Sequence, residues 1–177
     1  MIDRVLYRCV APRAPRTPAI LAGVLLTVGL TLWVGAPRTG WWAMIRFAAI
    51  AAITGGLYVA VRWLARGYIY TLEQHDDGHV DFVVTEQNGR RQVTVCRVST
   101  GELTGLRLLA KGERPPRPAP GRRVYHYCAA MRPDHAALLI LHDGEGESIL
   151  HFTPDDGLSS LLRTMIPAVD ENVEKSW

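Results

Sequence analysis

Two long apolar runs near the N-terminus dominate the pattern of hydrophobic and polar positions. Pro18–Ala36 carries no charged residue. At a rise of about 1.5 Å per residue it is long enough to cross a hydrocarbon core roughly 30 Å thick. Phe47–Val61 is shorter but is bracketed by Arg46 and Arg62, whose long side chains can snorkel to opposite interfaces and extend the span. The pattern predicts a two-span transmembrane hairpin over 18–66, with spans 18–36 and 44–65. Ala48, Ala52, Gly56 and Ala60 recur every four residues along the second span. Small residues let helices approach closely in lipid, so this stripe is expected to pack on the first span, or on a second copy or a partner's helix.

After residue 66 the period shortens to two. Val80, Phe82 and Val84 alternate with Asp81, Val83 and Thr85; Asn88-Gly89 gives a tight-turn signal, and Arg91–Val98 returns with β-branched residues, which is a hairpin pattern. Further strands are expected at Ile69–Glu73, Leu106–Ala110, Arg123–Ala129, Ala136–His142 and Ser148–Phe152. Residues 111–122 hold four prolines and read as a loop. Thr153 as cap, Pro154 at the first helical position, and Asp155 and Asp156 near the positive end of the helix dipole predict a helix start. Leu158, Leu161, Leu162 and Met165 mark its apolar face. The tail 168–177 is polar and expected to fray.

About seven short strands closed by one amphipathic helix resembles the pleckstrin-homology-like fold. With the hairpin in front, the chain is similar to bacterial membrane proteins carrying a PH-like domain. The resemblance is carried by Tyr70-Thr71-Leu72, the turn at Asn88-Gly89, and Ile149–Asp156 leading into Leu158–Met165. It implies a membrane α-hairpin followed by a mainly-β domain over 67–167, an antiparallel sandwich or partly open barrel capped by the C-terminal helix. It further implies a binding or scaffolding module and not an enzyme, and it supplies no ligand, because one fold hosts many partners. The inositol-phosphate grip of eukaryotic relatives is not expected, since the corresponding segment, Gln74–His79, is acidic.

Charge divides along the chain. Residues 1–67 carry eight Arg and one acid, Asp3, whereas residues 68–177 carry twelve Lys or Arg and sixteen Asp or Glu. The basic excess therefore flanks the hairpin: Arg4, Arg8, Arg13 and Arg16 before it, Arg62 and Arg66 after it. That distribution predicts both ends on the cytoplasmic side of an inner membrane and the 37–45 turn outside, with 1–17 as a basic cytoplasmic segment. Trp33, Trp41 and Trp42 are expected at the outer interface, and Tyr58 and Trp63 at the inner one. A rival reading takes the Arg-rich start, the apolar run and Val34-Gly35-Ala36 as a cleavable leader. A mildly acidic β domain argues against a nucleic-acid partner. Three Cys without paired spacing fit a reducing compartment.

The strongest candidate for binding is the Pro/Arg loop. Arg107, Lys111, Arg114, Arg117, Arg122 and Arg123 are offset only by Glu113, a patch suited to anionic lipid headgroups or a protein partner. The bland alternative is a solvated linker. Catalytic and metal motifs are not expected: there is no Gly-x-Ser-x-Gly elbow, CxxC or HExxH, and His75 and His79 lie in a turn. No cofactor is implied. An alternative in another class is a membrane-bound enzyme in which some of Cys96, His126, Cys128, His142 and His151 converge. A structural accessory subunit of a larger membrane complex is a third.

Overall fold

The computed structural model describes residues 2–12, 16–35, 40–115, 121–131, 133–143 and 146–166. The chain divides into two units: a helical hairpin, Ala14–Arg66, and a β domain built from the residues on both sides of it.

The hairpin consists of α1 (Arg16–Gly35) and α2 (Trp42–Val59), the latter continuing as a wider π-helical turn over Ala60–Ala65. Both helices are long and apolar enough to cross a membrane. Large apolar side chains such as Ile20, Val34, Met44 and Phe47 are exposed along them, a surface that suits lipid and not water. Thr27 and Thr31 donate their hydroxyls to the carbonyls of Gly23 and Thr27, four residues back, so neither hydroxyl is left unpaired on that surface. The two helices meet through small residues. Ala22 and Gly29 of α1 are buried, as are Ala49 and Gly56 of α2. A Cβ at Gly29 would meet the Ala49 carbonyl at 3.0 Å, and one at Gly56 would meet Leu26 Cγ at 2.8 Å. The contact face thus runs Ala49, Gly56 and Val59, with Ala52 and Ala60 partly buried and Ala48 exposed. A strict four-residue repeat drifts about 40° per step around an α-helix, so the stripe Ala48–Ala60 crosses the contact face instead of following it. At the loop end of the hairpin, Arg46 stacks on both Trp33 and Trp42, with its guanidinium 5.3 and 5.1 Å from the ring centres. Arg62 covers Trp63 at 4.4 Å.

The β domain has two four-stranded sheets. The first runs in the order β1-β2-β3-β4: β1 (Ile2–Val10), β2 (Arg66–His75), β3 (Val80–Asn88) and β4 (Arg91–Ser99). The second has the order β5-β7-β8-β6: β5 (Leu103–Leu109), β6 (Arg123–His126), β7 (Ala136–Asp143) and β8 (Gly146–Phe152). α3 (Asp156–Met165) closes the domain. All seven strands expected after the hairpin are present. The eighth, β1, comes from the basic N-terminal segment, which the sequence marks only as a charged flank. It pairs antiparallel with β2, Val5 opposite Glu73 and Cys9 opposite Tyr70. Two neighbouring strands of one sheet lie on one side of any membrane, so the hairpin leaves the domain and returns to it. Cleavage after Ala36 would remove β1.

The core lies between the sheets. Tyr70, Phe82 and Phe152 are fully buried and form an aromatic trio with ring centres 5.3–6.3 Å apart; each such burial stabilises the fold by roughly 1.5–3 kcal/mol. Leu158 and Leu162 of α3 pack into the same core, flanked by Leu161 and Met165. The Tyr70 hydroxyl donates to the Tyr127 carbonyl at 2.8 Å and accepts from the Thr153 amide at 3.3 Å. It therefore ties β2 to the segments leaving β6 and β8. Thr153 is not the helix cap; that role falls to Asp155, whose Oδ1 accepts from the Leu158 amide at 2.8 Å. Thr153 is instead buried where the chain leaves β8. The other oxygen of Asp155 accepts from the Tyr7 hydroxyl at 2.7 Å, latching β1 to the start of α3. That hydrogen bond holds the Tyr7 hydroxyl protonated, raising its pKa to about 12. Burial opposes the charge on Asp155, but the Leu158 amide and the Tyr7 hydroxyl outweigh it and lower its pKa.

The close approach at Gly29 yields a prediction. Gly29→Val should destabilise the hairpin by about 1–3 kcal/mol, because backbone atoms of α2 block the new side chain. Gly23→Val, with nothing within 4 Å of the new Cβ, should be nearly neutral. Thermal unfolding of the two variants in detergent measures the difference.

Candidate functional site

The second sheet is apolar on both faces, which explains the unbroken apolar run of β7. Ala137, Leu139 and Leu141 face the main core. Leu109, Ala136, Leu138 and Ile149 form a second cluster on the opposite face, with Val124 against it. Two clefts open around the ends of β5 and β7, and they share Ala136.

The first cleft, about 330 Å³, lies between β5 and α3. Leu108 and Leu109 form one wall, Ser159, Ser160 and Arg163 the other, and His135 and Pro154 also line it. β5 is an edge strand: it pairs with β7 on one side and with no described strand on the other. The Ser159 and Ser160 hydroxyls donate at 2.8 Å to the Asp155 and Asp156 carbonyls of the same helix. That occupation leaves no activated nucleophile there.

The second cleft, about 480 Å³, is bounded by the turn that follows β5, by Met131 and Pro133, and by His151 of β8. It brings the Pro/Arg loop into a concave setting and shows how its charges are used. Arg107 donates to Glu113 at 3.0 Å, and the other oxygen of Glu113 accepts from the Ala110 amide at 2.8 Å. Lys111 pairs with Asp134 at 3.0 Å, with both side chains largely exposed. Arg122 pairs with Glu147. Arg123 opens β6 and is exposed, and Arg114 lines the cleft. Arg117 lies outside the described residues. Arg107, Lys111 and Arg122 are thus matched by carboxylates among the described residues.

The His and Cys positions divide. β6 runs parallel to β8 with His126 opposite His151, and their Nδ1 atoms are 3.3 Å apart. Burial, reinforced by His126, lowers the His151 pKa to about 4, so its ring is neutral at physiological pH. Cys128 is beside them, and its thiol donates to the His151 main-chain carbonyl at 3.6 Å. His142 is exposed. Burial raises the Cys96 pKa and takes that of Cys9 to about 11, away from the reactive thiolate form. No spacing in the sequence signals the His126–His151 contact, because it depends on a non-local parallel register.

His75 and His79 are drawn into a charge network. Their Nε2 atoms lie 3.1 and 3.2 Å from the two oxygens of Asp81, and Arg97 bridges Asp81 and Glu73 at 3.1 and 2.9 Å. Among the described residues no group of three or more His, Cys, Asp or Glu side chains could hold a metal ion. No protein-family model matches the chain, and no curated protein matches it.

The depressed pKa of His151 has a thermodynamic consequence. The unfolded chain takes up a proton near pH 6.5 that the folded chain refuses until about pH 4. The folded state therefore loses stability as pH falls through that window, by about 1–2 kcal/mol after allowance for solvent screening. Thermal unfolding in detergent at pH 7, 5.5 and 4.5 should show this decline, and His151→Leu should flatten it.

Proposed function

We propose that the chain is a membrane-anchored, non-enzymatic interaction module. In this reading a PH-like domain sits on the cytoplasmic face of a bacterial inner membrane and presents a groove to a protein partner. The carrying observation is the cleft between the end of the edge strand β5 and α3. An extended segment can add to such an edge through main-chain hydrogen bonds while its side chains settle against the helix. Leu108 offers an apolar contact on one wall and Arg163 a charge on the other. Seven strands after the hairpin and a helix that plugs the core support the PH-like assignment; the extra strand β1 and the parallel β6–β8 pair are departures from it. The Arg excess on both flanks supports the cytoplasmic side. Two adjacent tethers hold the domain at the bilayer and raise its effective concentration toward membrane partners, so a weak groove suffices.

A protein partner is favoured over a lipid surface because Arg107, Lys111 and Arg122 already have carboxylate partners. The enzymatic alternative draws on the proximity of His126, His151 and Cys128. Against it, the Cys128 thiol is directed to a carbonyl and His151 Nδ1 is engaged by His126.

The test places a photo-crosslinking residue at Leu108, Ser160 or Gln92 of the full-length chain in native membranes. One discrete protein adduct of equal mass should form from positions 108 and 160 and not from 92 on β4. The exposed-site change Leu108→Asp should abolish the adduct formed from position 160. Equal adducts from all three positions, or none from the groove pair, would contradict the proposal.

A further inference from the structure

The second cleft adjoins the β5–α3 groove at Ala136 but has its own chemistry. Its lining is mixed: Ala110, Pro115, Met131, Pro133 and Ala136 supply an apolar part beside the polar Glu113, Arg114 and His151. Its volume of about 480 Å³ falls in the range of small-molecule sites. Three charged or titratable side chains line it, and they are not equivalent. Both Glu113 oxygens are occupied, by Arg107 and by the Ala110 amide. Arg114 is exposed and makes no ion pair among the described residues. His151 is more than nine-tenths buried, and its Nε2 has no hydrogen-bond partner among the described residues. Leaving such a buried polar atom unpartnered costs roughly 1–3 kcal/mol.

Among the described lining residues the uncompensated formal charge is therefore positive, and the unpartnered polar atom belongs to a neutral imidazole. If the His126 Nδ1–H donates to His151 Nδ1, the proton of the His151 ring rests on Nε2, where it can be donated. We infer that this cleft binds a small amphiphilic anion. One carboxylate or phosphate monoester group is held by the Arg114 guanidinium and the His151 Nε2–H, and an apolar body lies against Met131, Pro133 and Pro115. Charge-assisted hydrogen bonds from a guanidinium to such a group are short and strong, and the apolar part of the lining offers a surface for an attached hydrocarbon body. Nε2 is closed off from solvent, so the anion reaches it by a small shift of the ring or of the turn after β5. A binding event should accordingly register at the His151 ring itself. The site does not depend on the peptide groove, and either can fail alone.

The test uses the full-length chain in nanodiscs of zwitterionic lipid, with ¹⁵N-labelled histidine followed by NMR. Three probes share one 3-phenylpropyl body: 4-phenylbutyrate, its neutral amide 4-phenylbutanamide, and 3-phenylpropyl phosphate as the monoester. At least one of the two anions should shift the His151 ring nitrogens at millimolar concentration, while the amide does not. The tighter of the anions identifies the headgroup. Because His151 is buried and its replacement can disturb the fold, the exposed Arg114 provides the variant. Arg114→Ala should weaken anion binding about tenfold or more, whereas Lys111→Ala, which removes an exposed pair, should change it by less than about twofold. Equal shifts with the amide, unchanged affinity in Arg114→Ala, or no shift with any probe would overturn the inference.

Discussion

The pairing of β1 with β2 is the constraint on which this architecture depends. The two strands are adjacent in one sheet but separated in sequence by the whole helical hairpin. The hairpin is therefore an insertion into a β domain and not an appendage to its end. The first sheet is complete only when residues on both sides of the hairpin have paired. The Tyr7–Asp155 hydrogen bond reinforces this closure. It links the first strand to the cap of the last helix, so residues near the two ends of the described chain hold each other. Gly157 lies at the same contact, and a Cβ there would run into the Tyr7 ring.

Closure of the core follows a similar logic. Tyr70 is buried among aromatic rings, yet its hydroxyl is satisfied twice, once by the chain leaving β6 and once by the chain leaving β8. A buried hydroxyl without partners would be costly; with two it fixes how the sheets meet. The second sheet then has an apolar outer face as well. The turn after β5 and the Met131–Pro133 segment border the cleft on that side, where the basic loop, His151 and the edge of β5 come together. Concavity and a shifted pKa coincide at this end of the domain.

Much of this was legible from residue pattern alone. The uncharged runs mark both helices, Asn88-Gly89 marks the β3–β4 turn with Gly89 at positive φ, and the Leu158–Met165 spacing marks α3. β1 was hidden for two reasons. Its four-fold Arg flank reads as a topology signal, and two register shifts, between Ile2 and Arg4 and between Val5 and Tyr7, break the alternation that identifies a strand. The helix contact was legible in kind and misplaced in part, since Ala49 and not Ala48 lies on the face. The basic loop was visible as composition, but its pairing with Glu113, Asp134 and Glu147 is tertiary. The His126–His151 contact was invisible, because a parallel register between strands separated by β7 leaves no local trace.

The most direct measurement asks on which side of the membrane three positions lie. With the three native cysteines replaced by alanine, single cysteines at Arg4, Gly40 and Arg91 are exposed to a membrane-impermeant maleimide in sealed, oriented vesicles. The account predicts that positions 4 and 91 share one side and that position 40 lies on the other. Labelling of 4 and 91 from opposite sides, or of all three from the same side, would contradict it.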